Sequence, residues 1–318
     1  MVTNLIYKQL GNTGLVVSDL CLGVLTIGPL QSNLPLPQGA DILSYALKRG
    51  INFFDTAKIY KTYAYIKKAV EDSGIRPVIT TKSYDYTYSG MRDSVEEALD
   101  EMGIKYIDIF MLHEQESELT LKGHREAMQY LVEARHKGIV RAIGLSTHSV
   151  QGVLAGARAA EIEVIHPLIN RRGLGIMDGS RDEMLAAISY ACHCGKGIYA
   201  MKALGGGNLI GEAYESFQFV HELNTIHSMA VGMQSKEEVD LNISWAEGRR
   251  DSELEKRVRR QPRRLLIEEW CQGCGSCTEH CRYGALSLQG EAVAVDGSKC
   301  ILCGYCARYC NDFCIKIV

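Results

Sequence analysis

The sequence of 318 residues contains no run of apolar residues as long as the roughly eighteen that a membrane-spanning helix needs. Its first residues, MVTNLIYKQLGNTG, also lack the basic stretch followed by an apolar stretch that is typical of a secretory signal. The sequence therefore predicts a soluble protein that is neither secreted nor bound to a membrane.

A strong charge of either sign is also missing. The net charge is -3, which is too small to predict nucleic-acid binding. Residues 248–264, GRRDSELEKRVRRQPRR, are locally basic. Such a stretch is more often a solvated helix face than a docking site for an acidic protein, so we favour the first interpretation.

The cysteines are absent from most of the chain and concentrated at its end. Nine of the twelve fall within residues 271–318, in two evenly spaced groups. This pattern is typical of metal ligation in a reducing compartment and not of a disulfide framework. It predicts a cytoplasmic location.

No GxGxxG motif opens the first strand–helix unit, and the glycine triplet at 205–207 comes too late in the chain to act as one. Apolar, β-branched runs instead alternate with segments of helical periodicity. There are eight runs: LVVSDLCLGV, INFFDTA, PVITTKS, YIDIFMLH, VRAIGLSTH, IEVIHPLIN, GIYAMKAL and HSMAVGM. Eight such units over about 230 residues predict an α/β fold of the (β/α)8 TIM barrel type and not a doubly wound sheet.

Four side chains that can exchange protons lie at the ends of three successive runs. Asp55 lies near the end of INFFDTA and Tyr60 five residues later, while Lys82 and His113 end the next two strands. Each residue alone could serve as a helix cap, a rim residue or a core residue. Because the strand ends of a barrel meet at one mouth, together they predict a site that can protonate a carbonyl.

The segments GINFFDTAKIY, TTKS, DIFMLH, VRAIGLS and GIYAMKALGGG resemble the aldo-keto reductase superfamily, and the resemblance covers residues 5 to about 245. It implies that Tyr60 protonates the substrate carbonyl as hydride arrives. It further implies that Lys82, paired with Asp55, lowers the pKa of the phenol, and that His113 orients the substrate.

The same resemblance implies where a nicotinamide ring would bind. Typical members contact the ring with a Ser-Asn pair after the fifth strand, a glutamine on the sixth strand and an aromatic residue on the seventh. The corresponding residues here are Ser146, which is followed by Thr147 and His148, then His166 and Met201. Met201 can fill space but cannot stack as an aromatic ring does.

For the rest of the nucleotide, Gln234, Ser235 and Lys236 are candidate phosphate partners, and Asn242 matches a family asparagine that contacts adenine. The basic pair that recognises the extra phosphate of NADP aligns with Gly232 and Glu238, and Glu238 would repel that phosphate. We therefore expect weak NAD(P)H binding without a strong preference for NADPH.

CQGCGSCTEHC and CILCGYCARYC both follow the pattern C-x2-C-x2-C-x3-C. In such a run three thiolates close around one iron–sulfur cube and the fourth reaches the other cube. The resemblance to bacterial two-cluster ferredoxins implies two [4Fe-4S] clusters, one held by Cys271, Cys274, Cys277 and Cys310 and the other by Cys300, Cys303, Cys306 and Cys281. Zinc is the alternative, and this compressed spacing disfavours it.

The remaining cysteines are interpreted as structural. Cys314 aligns with Ala285 in the other half of the repeat, so we expect a small buried residue, and Cys21 has the same interpretation. Cys192-His193-Cys194 precedes the seventh strand, on the barrel face opposite the predicted site.

These patterns divide the chain into an aldo-keto reductase-like barrel, residues 1–262, and a small α+β ferredoxin-like domain, residues 263–318. They predict an oxidoreductase that reduces a small-molecule carbonyl with Tyr60 as proton donor. NAD(P)H, or the clusters fed by a carrier of the ferredoxin or flavodoxin type, would supply the electrons. The alternative is a non-catalytic electron-transfer or scaffold subunit of a larger redox complex.

Overall fold

Eight parallel strands close into a barrel in the computed structural model, which describes residues 4–318. The strands follow chain order around the barrel, and the last one pairs with the first. They are β3 (Leu20–Gly23), β4 (Phe53–Asp55), β5 (Val78–Ser83), β6 (Ile107–Leu112), β7 (Val140–Thr147), β8 (Val164–Pro167), β9 (Gly197–Ala200) and β10 (Ser228–Gly232). The predicted TIM barrel is confirmed, with all eight apolar runs contributing strands.

The first predicted run is divided between two sheets. Its beginning forms β2 (Val16–Ser18), which pairs antiparallel with β1 (Tyr7–Gln9), and only its end forms the barrel strand β3. The hairpin buries Leu10, Leu15 and Val17 against barrel-interior side chains such as Phe53. The run is continuously apolar because its first part, β2, covers the bottom of the barrel and its second part, β3, is a buried strand of the barrel.

Helices surround the barrel and bury their apolar faces against the strands. They are α1 (Leu36–Lys48), α2 (Tyr63–Ser73), α3 (Tyr88–Met102), α4 (Glu118–Gly123), α5 (Arg125–His136), α6 (Val150–Arg158), α7 (Arg181–His193), α8 (Ala213–His221), α9 (Lys236–Ala246) and α10 (Ser252–Arg259). Within residues 4–318, none of the helices is both long enough and apolar enough to cross a membrane.

The cysteine-rich end forms a small α+β unit. Strand β11 (Leu265–Ile267) pairs with β14 (Ile315–Ile317), β12 (Leu286–Gln289) pairs with β13 (Ala292–Val295), and both pairs are antiparallel. The third cysteine of each run lies in a short helix: Cys277 in the one-turn helix α11 (Ser276–Glu279) and Cys306 in a 3-10 helix (Tyr305–Tyr309). Cysteine side chains make up much of the small core between these elements.

This C-terminal unit lies on the mouth of the barrel, against the loop that follows β9. The Ile317 amide donates to the Gly206 carbonyl at 3.0 Å, and the Asn208 amide group donates to the Ile315 carbonyl at 2.8 Å. Gly205, Gly206 and Gly207 all have positive φ values, and a Cβ on Gly207 would lie 2.0 Å from the Ile317 oxygen. The glycine triplet thus permits a close approach between two backbone segments.

Candidate active site

A buried ion pair lies at the centre of the barrel mouth. The Lys82 ammonium donates to both oxygens of Asp55, at 2.7 and 2.9 Å, and to the carbonyl of Thr56 at 2.7 Å. Lys82 is 1% exposed and Asp55 is 5% exposed. The Lys82 charge, together with the nearby His166, keeps the Asp55 pKa below its usual value although burial opposes this. All three of the lysine's donors are therefore satisfied by the end of β4 and the residue after it.

Tyr60 and His113 border this ion pair. Tyr60 ends a 3-10 turn (Lys58–Tyr60) after β4, and the Lys82 nitrogen is 5.1 Å from the centroid of its ring. The His113 ring meets the Tyr60 ring edge-on at 5.8 Å and stacks on Tyr84 at 4.2 Å. The structure thus places the four predicted residues, Asp55, Tyr60, Lys82 and His113, at one mouth.

The protonation states of Tyr60 and His113 follow from their burial. Burial raises the pKa of Tyr60 well above its usual value, and the carboxylates of Asp55 and Glu114 raise it further. From the sequence we expected Lys82 to lower the pKa of Tyr60. The structure gives the opposite direction, because the Lys82 charge is paired with Asp55. Burial, with the charge of Lys82, lowers the pKa of His113, whose buried Nδ1 has no hydrogen-bond partner within residues 4–318. The phenol is protonated and the imidazole is neutral at neutral pH.

Tyr199 on β9 supports the ion pair from inside the barrel. Its hydroxyl donates to Asp55 at 2.8 Å, and its carbonyl accepts a hydrogen bond of 2.6 Å from His166 Nδ1. The two rings stack at 3.8 Å. Burial lowers the pKa of His166 to about 3, so the ring is neutral. Tyr199 was not predicted as a site residue, because it reads as an ordinary barrel-interior aromatic residue.

An elongated cavity of about 220 Å3 begins at this site and leads outward between β10 and the loop after β9. Four of the predicted nucleotide residues line it: His166, Met201, Gln234 and Asn242. The side-chain oxygen of Asn242 is buried and has no hydrogen-bond partner within residues 4–318. An acceptor in this position can receive a hydrogen bond from a bound molecule.

The structure does not place Ser146 and Ser235 on the lining of this cavity. Ser146 is fully buried, and its hydroxyl oxygen accepts a hydrogen bond from the Glu114 amide at 2.9 Å. The Ser235 hydroxyl caps α9 by accepting from the Glu238 amide at 3.1 Å. Both hydroxyl groups therefore serve the backbone.

Glu238 is paired within the protein. Its carboxylate accepts from Arg263 at 2.7 Å and from the Gln234 amide at 2.7 Å. Burial nevertheless raises the pKa of Glu238. The expected repulsion of a phosphate is reduced, because the arginine charge offsets the carboxylate. Arg263 belongs to the basic segment 248–264. This segment therefore provides a largely buried ion pair with Glu238 as well as a solvated helix face.

The two cysteine runs surround two cavities in a crossed arrangement. Cys281, Cys300, Cys303 and Cys306 line one cavity of about 240 Å3. Cys271, Cys274, Cys277 and Cys310, with Cys314, line a narrower one of about 10 Å3. All twelve cysteines of the chain are free thiols. Within residues 4–318, no three His, Cys, Asp or Glu side chains are grouped as they would be around a single metal ion.

Backbone hydrogen bonds to sulfur repeat in the two halves of the unit. The Ala285 amide donates to Cys281 Sγ at 3.3 Å, and the Cys314 amide donates to Cys310 Sγ at 3.3 Å. Amides directed at the sulfurs are a usual feature of iron–sulfur ligation, because they stabilise the thiolate. These amides would favour the thiolate form of Cys281 and Cys310, which is the form that ligates an iron–sulfur cluster.

The other cysteines lie in varied surroundings. Cys314 is 3% exposed and its sulfur is 3.2 Å from that of Cys310. Cys21 is fully buried inside the barrel. Cys192 and Cys194 lie at the end of α7, and Cys194 is exposed.

Three residues at the junction between the two units were not predicted. Phe313 packs against Leu168 and Met201, and its ring lies 6.4 Å from that of His148. Lys202, directly after Met201, and Lys316 on β14 both line the elongated cavity. The position of Lys202 after a barrel strand could have identified it. Nothing in the sequence indicates that Phe313 and Lys316 reach the mouth.

Comparison with known proteins agrees with the two-part division. Residues 19–254 match the aldo/keto reductase family, and residues 265–287 match the 4Fe-4S binding domain. An aldo-keto reductase of Mycolicibacterium paratuberculosis is 30% identical over 149 residues, which are 43% of this chain and 51% of that protein. A methylglyoxal reductase of Escherichia coli is 24% identical over 169 residues, 50% of this chain and 60% of that protein.

Among solved structures, a Pseudomonas aeruginosa protein described as an aldo-keto reductase superposes with a TM-score of 0.65 at 25% identity. The superposition covers 76% of this chain and 94% of that one. The sequence matches to the curated relatives, by contrast, span only about half to three-fifths of their length.

Proposed function

We propose that this chain, which belongs to the aldo/keto reductase family, is an oxidoreductase that reduces a carbonyl substrate with Tyr60 as the proton donor. The observation that carries the proposal is the position of Tyr60. Its side chain lines the elongated cavity together with Asp55 and His166, beside the Asp55–Lys82 ion pair. The relatives supply the reaction class, and the substrate itself is part of the proposal.

The protonation states of the site favour reduction over oxidation. A phenol whose pKa is raised holds its proton at neutral pH, so it can donate that proton to an oxygen that gains negative charge. The neutral His113 can donate or accept a hydrogen bond and so orient the carbonyl oxygen. In the oxidative direction Tyr60 would first have to lose its proton, which the nearby carboxylates oppose.

We propose that a nicotinamide nucleotide binds in this cavity as the hydride source. His166 and Met201 would border the ring, Gln234 would face the phosphates, and the unpaired oxygen of Asn242 would accept from the adenine amino group. When bound, the nucleotide supplies a hydride to the carbonyl carbon. Because the Arg263 charge is already shared with Glu238, we expect weak binding and little preference for NADPH over NADH. Anaerobic calorimetry tests this, and submicromolar, NADPH-selective binding would contradict it.

We further propose that the C-terminal unit carries two [4Fe-4S] clusters, with the ligand sets that line the two cavities. When present, the clusters supply single electrons. Phe313 lies between Cys310 and the mouth, so the cluster held by Cys271, Cys274, Cys277 and Cys310 would be the nearer one to Tyr60. A protein carrier of the ferredoxin or flavodoxin type would reduce the clusters. Free thiols and clusters favour the cytoplasm.

The test is a comparison of Tyr60→Phe with a matched tyrosine outside the site. Tyr190 on α7 is exposed and remote from the mouth, so Tyr190→Phe is the control. Each anaerobic protein is assayed with NADH, NADPH and reduced ferredoxin, using an aromatic aldehyde as substrate. Loss of the hydroxyl should lower turnover by about a hundred-fold or more. Unchanged turnover in Tyr60→Phe with intact cluster spectra would refute the assigned role.

One observation favours the alternative of a non-catalytic electron-transfer subunit. The Ile317 amide of β14 donates to the Gly206 carbonyl and Phe313 packs on Met201, so the C-terminal unit covers part of the barrel mouth. In that case no donor would support aldehyde reduction, while reduced ferredoxin would still reduce the clusters. Redox titration of the clusters, measured beside the turnover assay, separates the two functions.

A further inference from the structure

We propose that Lys202 and Lys316 form a binding site for a carboxylate or phosphate group of the substrate, whose reacting carbonyl lies at Tyr60. The inference rests on the proposed function and adds a substrate class to it. Both lysines line the same cavity as Tyr60. The preferred substrates would therefore be anionic carbonyl compounds.

Both ammonium groups lie near the same aromatic ring, that of Phe313. The Lys202 nitrogen is 5.9 Å and the Lys316 nitrogen 3.3 Å from the centroid of Phe313. Lys316 is only 3% exposed, and its ammonium donates to the Phe313 carbonyl. An ammonium has three donors, so this contact leaves two that another group can accept from.

No carboxylate within residues 4–318 forms an ion pair with either lysine. The carboxylates that act on them from a greater distance are Glu268, which affects both lysines, and Glu114 and Asp55, which affect Lys202. Burial disfavours the charged form and lowers the pKa of both ammonium groups, and the Lys202 charge lowers the pKa of Lys316 further, so holding both charges here is costly. A bound anion would pair with both and remove this cost.

The position of the lysines favours the substrate as the source of the anion. The charge of Lys202 acts on His113, and the charges of both lysines act on His148. His148 also contacts the Phe313 ring. The pair thus lies close enough to His113, which meets the Tyr60 ring edge-on, and to His148 for its charge to act on both rings. Phosphates of a nucleotide are the other source of such an anion.

Phe313 has an unusual backbone conformation. Its φ is +48°, in the left-handed region that bulky residues avoid. The equivalent position in the first half of the repeat is Gly284, with a φ of +57°. The second half accepts strain of the order of 1–2 kcal/mol where the first half uses glycine. In this conformation the Phe313 ring packs on Met201, and Lys316 contacts both the ring and the carbonyl of Phe313.

The test compares para-carboxybenzaldehyde with its uncharged counterpart, para-formylbenzamide. Binding of each to the cluster-loaded Tyr60→Phe protein is measured by anaerobic calorimetry, so that the result does not depend on turnover. Lys202→Met and Lys316→Met are then introduced in that background. Lys122→Met is the control, because Lys122 is exposed on α4 and pairs with Glu118.

We expect each cavity variant to weaken carboxylate binding by roughly ten- to a hundred-fold, as loss of a charged hydrogen bond does. Amide binding, and both affinities in Lys122→Met, should not change. Equal affinity for the acid and the amide in the starting protein would overturn the proposal. Lys202→Met lies outside the C-terminal unit, so it still gives a result if Lys316→Met fails to assemble.

Binding of NADPH to the same variants, measured by the same calorimetry, distinguishes the two sources of the anion. Variants that bind NADPH more weakly but keep their affinity for para-carboxybenzaldehyde would overturn the assignment to the substrate. Failure of the proposed function has a different signature: carboxylate binding would persist and depend on the lysines, but the wild-type protein would reduce neither aldehyde.

Discussion

Substitution of Gly207 by alanine tests how the C-terminal unit is held on the barrel. Gly207 has a φ of +84°, and a Cβ there would lie 2.0 Å from the Ile317 oxygen and 2.9 Å from its carbonyl carbon. Both are backbone atoms of β14, so no side-chain rotation can relieve the overlap. Two costs result: the strain of a left-handed alanine, about 1–2 kcal/mol, and the overlap, typically about 1–3 kcal/mol.

Gly14→Ala separates the two costs. Gly14 has a φ of +74°, and a Cβ there meets nothing within 4 Å. This control should lose only the strain energy, about 1–2 kcal/mol, while Gly207→Ala should lose about 2–5 kcal/mol in all. Because the overlap lies between the two units, Gly207→Ala should also separate them without emptying the clusters.

The measurements are anaerobic urea unfolding followed by circular dichroism, and limited proteolysis of the segment between α10 and β11. Cleavage in that segment should accelerate in Gly207→Ala and not in Gly14→Ala. Equal unfolding free energies and equal cleavage rates in the two variants would refute the close contact between the glycine triplet and β14.

Two further outcomes are expected. Anaerobically prepared protein should contain about eight iron and eight sulfide ions per chain. Cys306→Ala should lose about half of each, whereas Cys314→Ala should keep them. Zinc without sulfide would refute the assignment of the clusters. Acidification should destabilise the fold through His166, whose pKa is about 3 when folded and about 6.5 when unfolded. The unfolded chain takes up the proton first, so stability is complete above about pH 6.5 and falls below it, by about 2 kcal/mol at pH 5. His166→Gln, whose amide can still donate to Tyr199, should unfold in urea with a smaller pH dependence between pH 7 and pH 5.

The barrel and the four residues at its mouth were predictable for a geometric reason. Parallel strands of a closed barrel end at the same face, so residues far apart in sequence, such as Asp55 and His113, need only lie at the ends of nearby strands to meet. The same logic extends to Lys202 after β9, which the sequence analysis passed over. The crossed cysteine sets follow in the same way from a short, repeated spacing.

The side-chain directions and charges around these residues were not predictable. Ser146 lies at the expected strand end, yet its hydroxyl accepts from the Glu114 amide. Glu238 aligns with a phosphate-binding position, but Arg263, from beyond α10, neutralises it. Both outcomes depend on partners from other parts of the fold, which neither spacing nor periodicity encodes.

The contact between the two units joins the clusters and the cavity through one short segment. Cys310, Phe313 and Lys316 follow one another within seven residues at the end of the chain. The first lines a cluster cavity, the second packs on Met201, and the third lines the cavity that contains Tyr60. A displacement of β14 would therefore change both the lysine pair and the electron path that we propose, because one short segment carries residues of both. For this reason the separation of the units in Gly207→Ala should abolish the preference for carboxylates even though every residue of the barrel site remains.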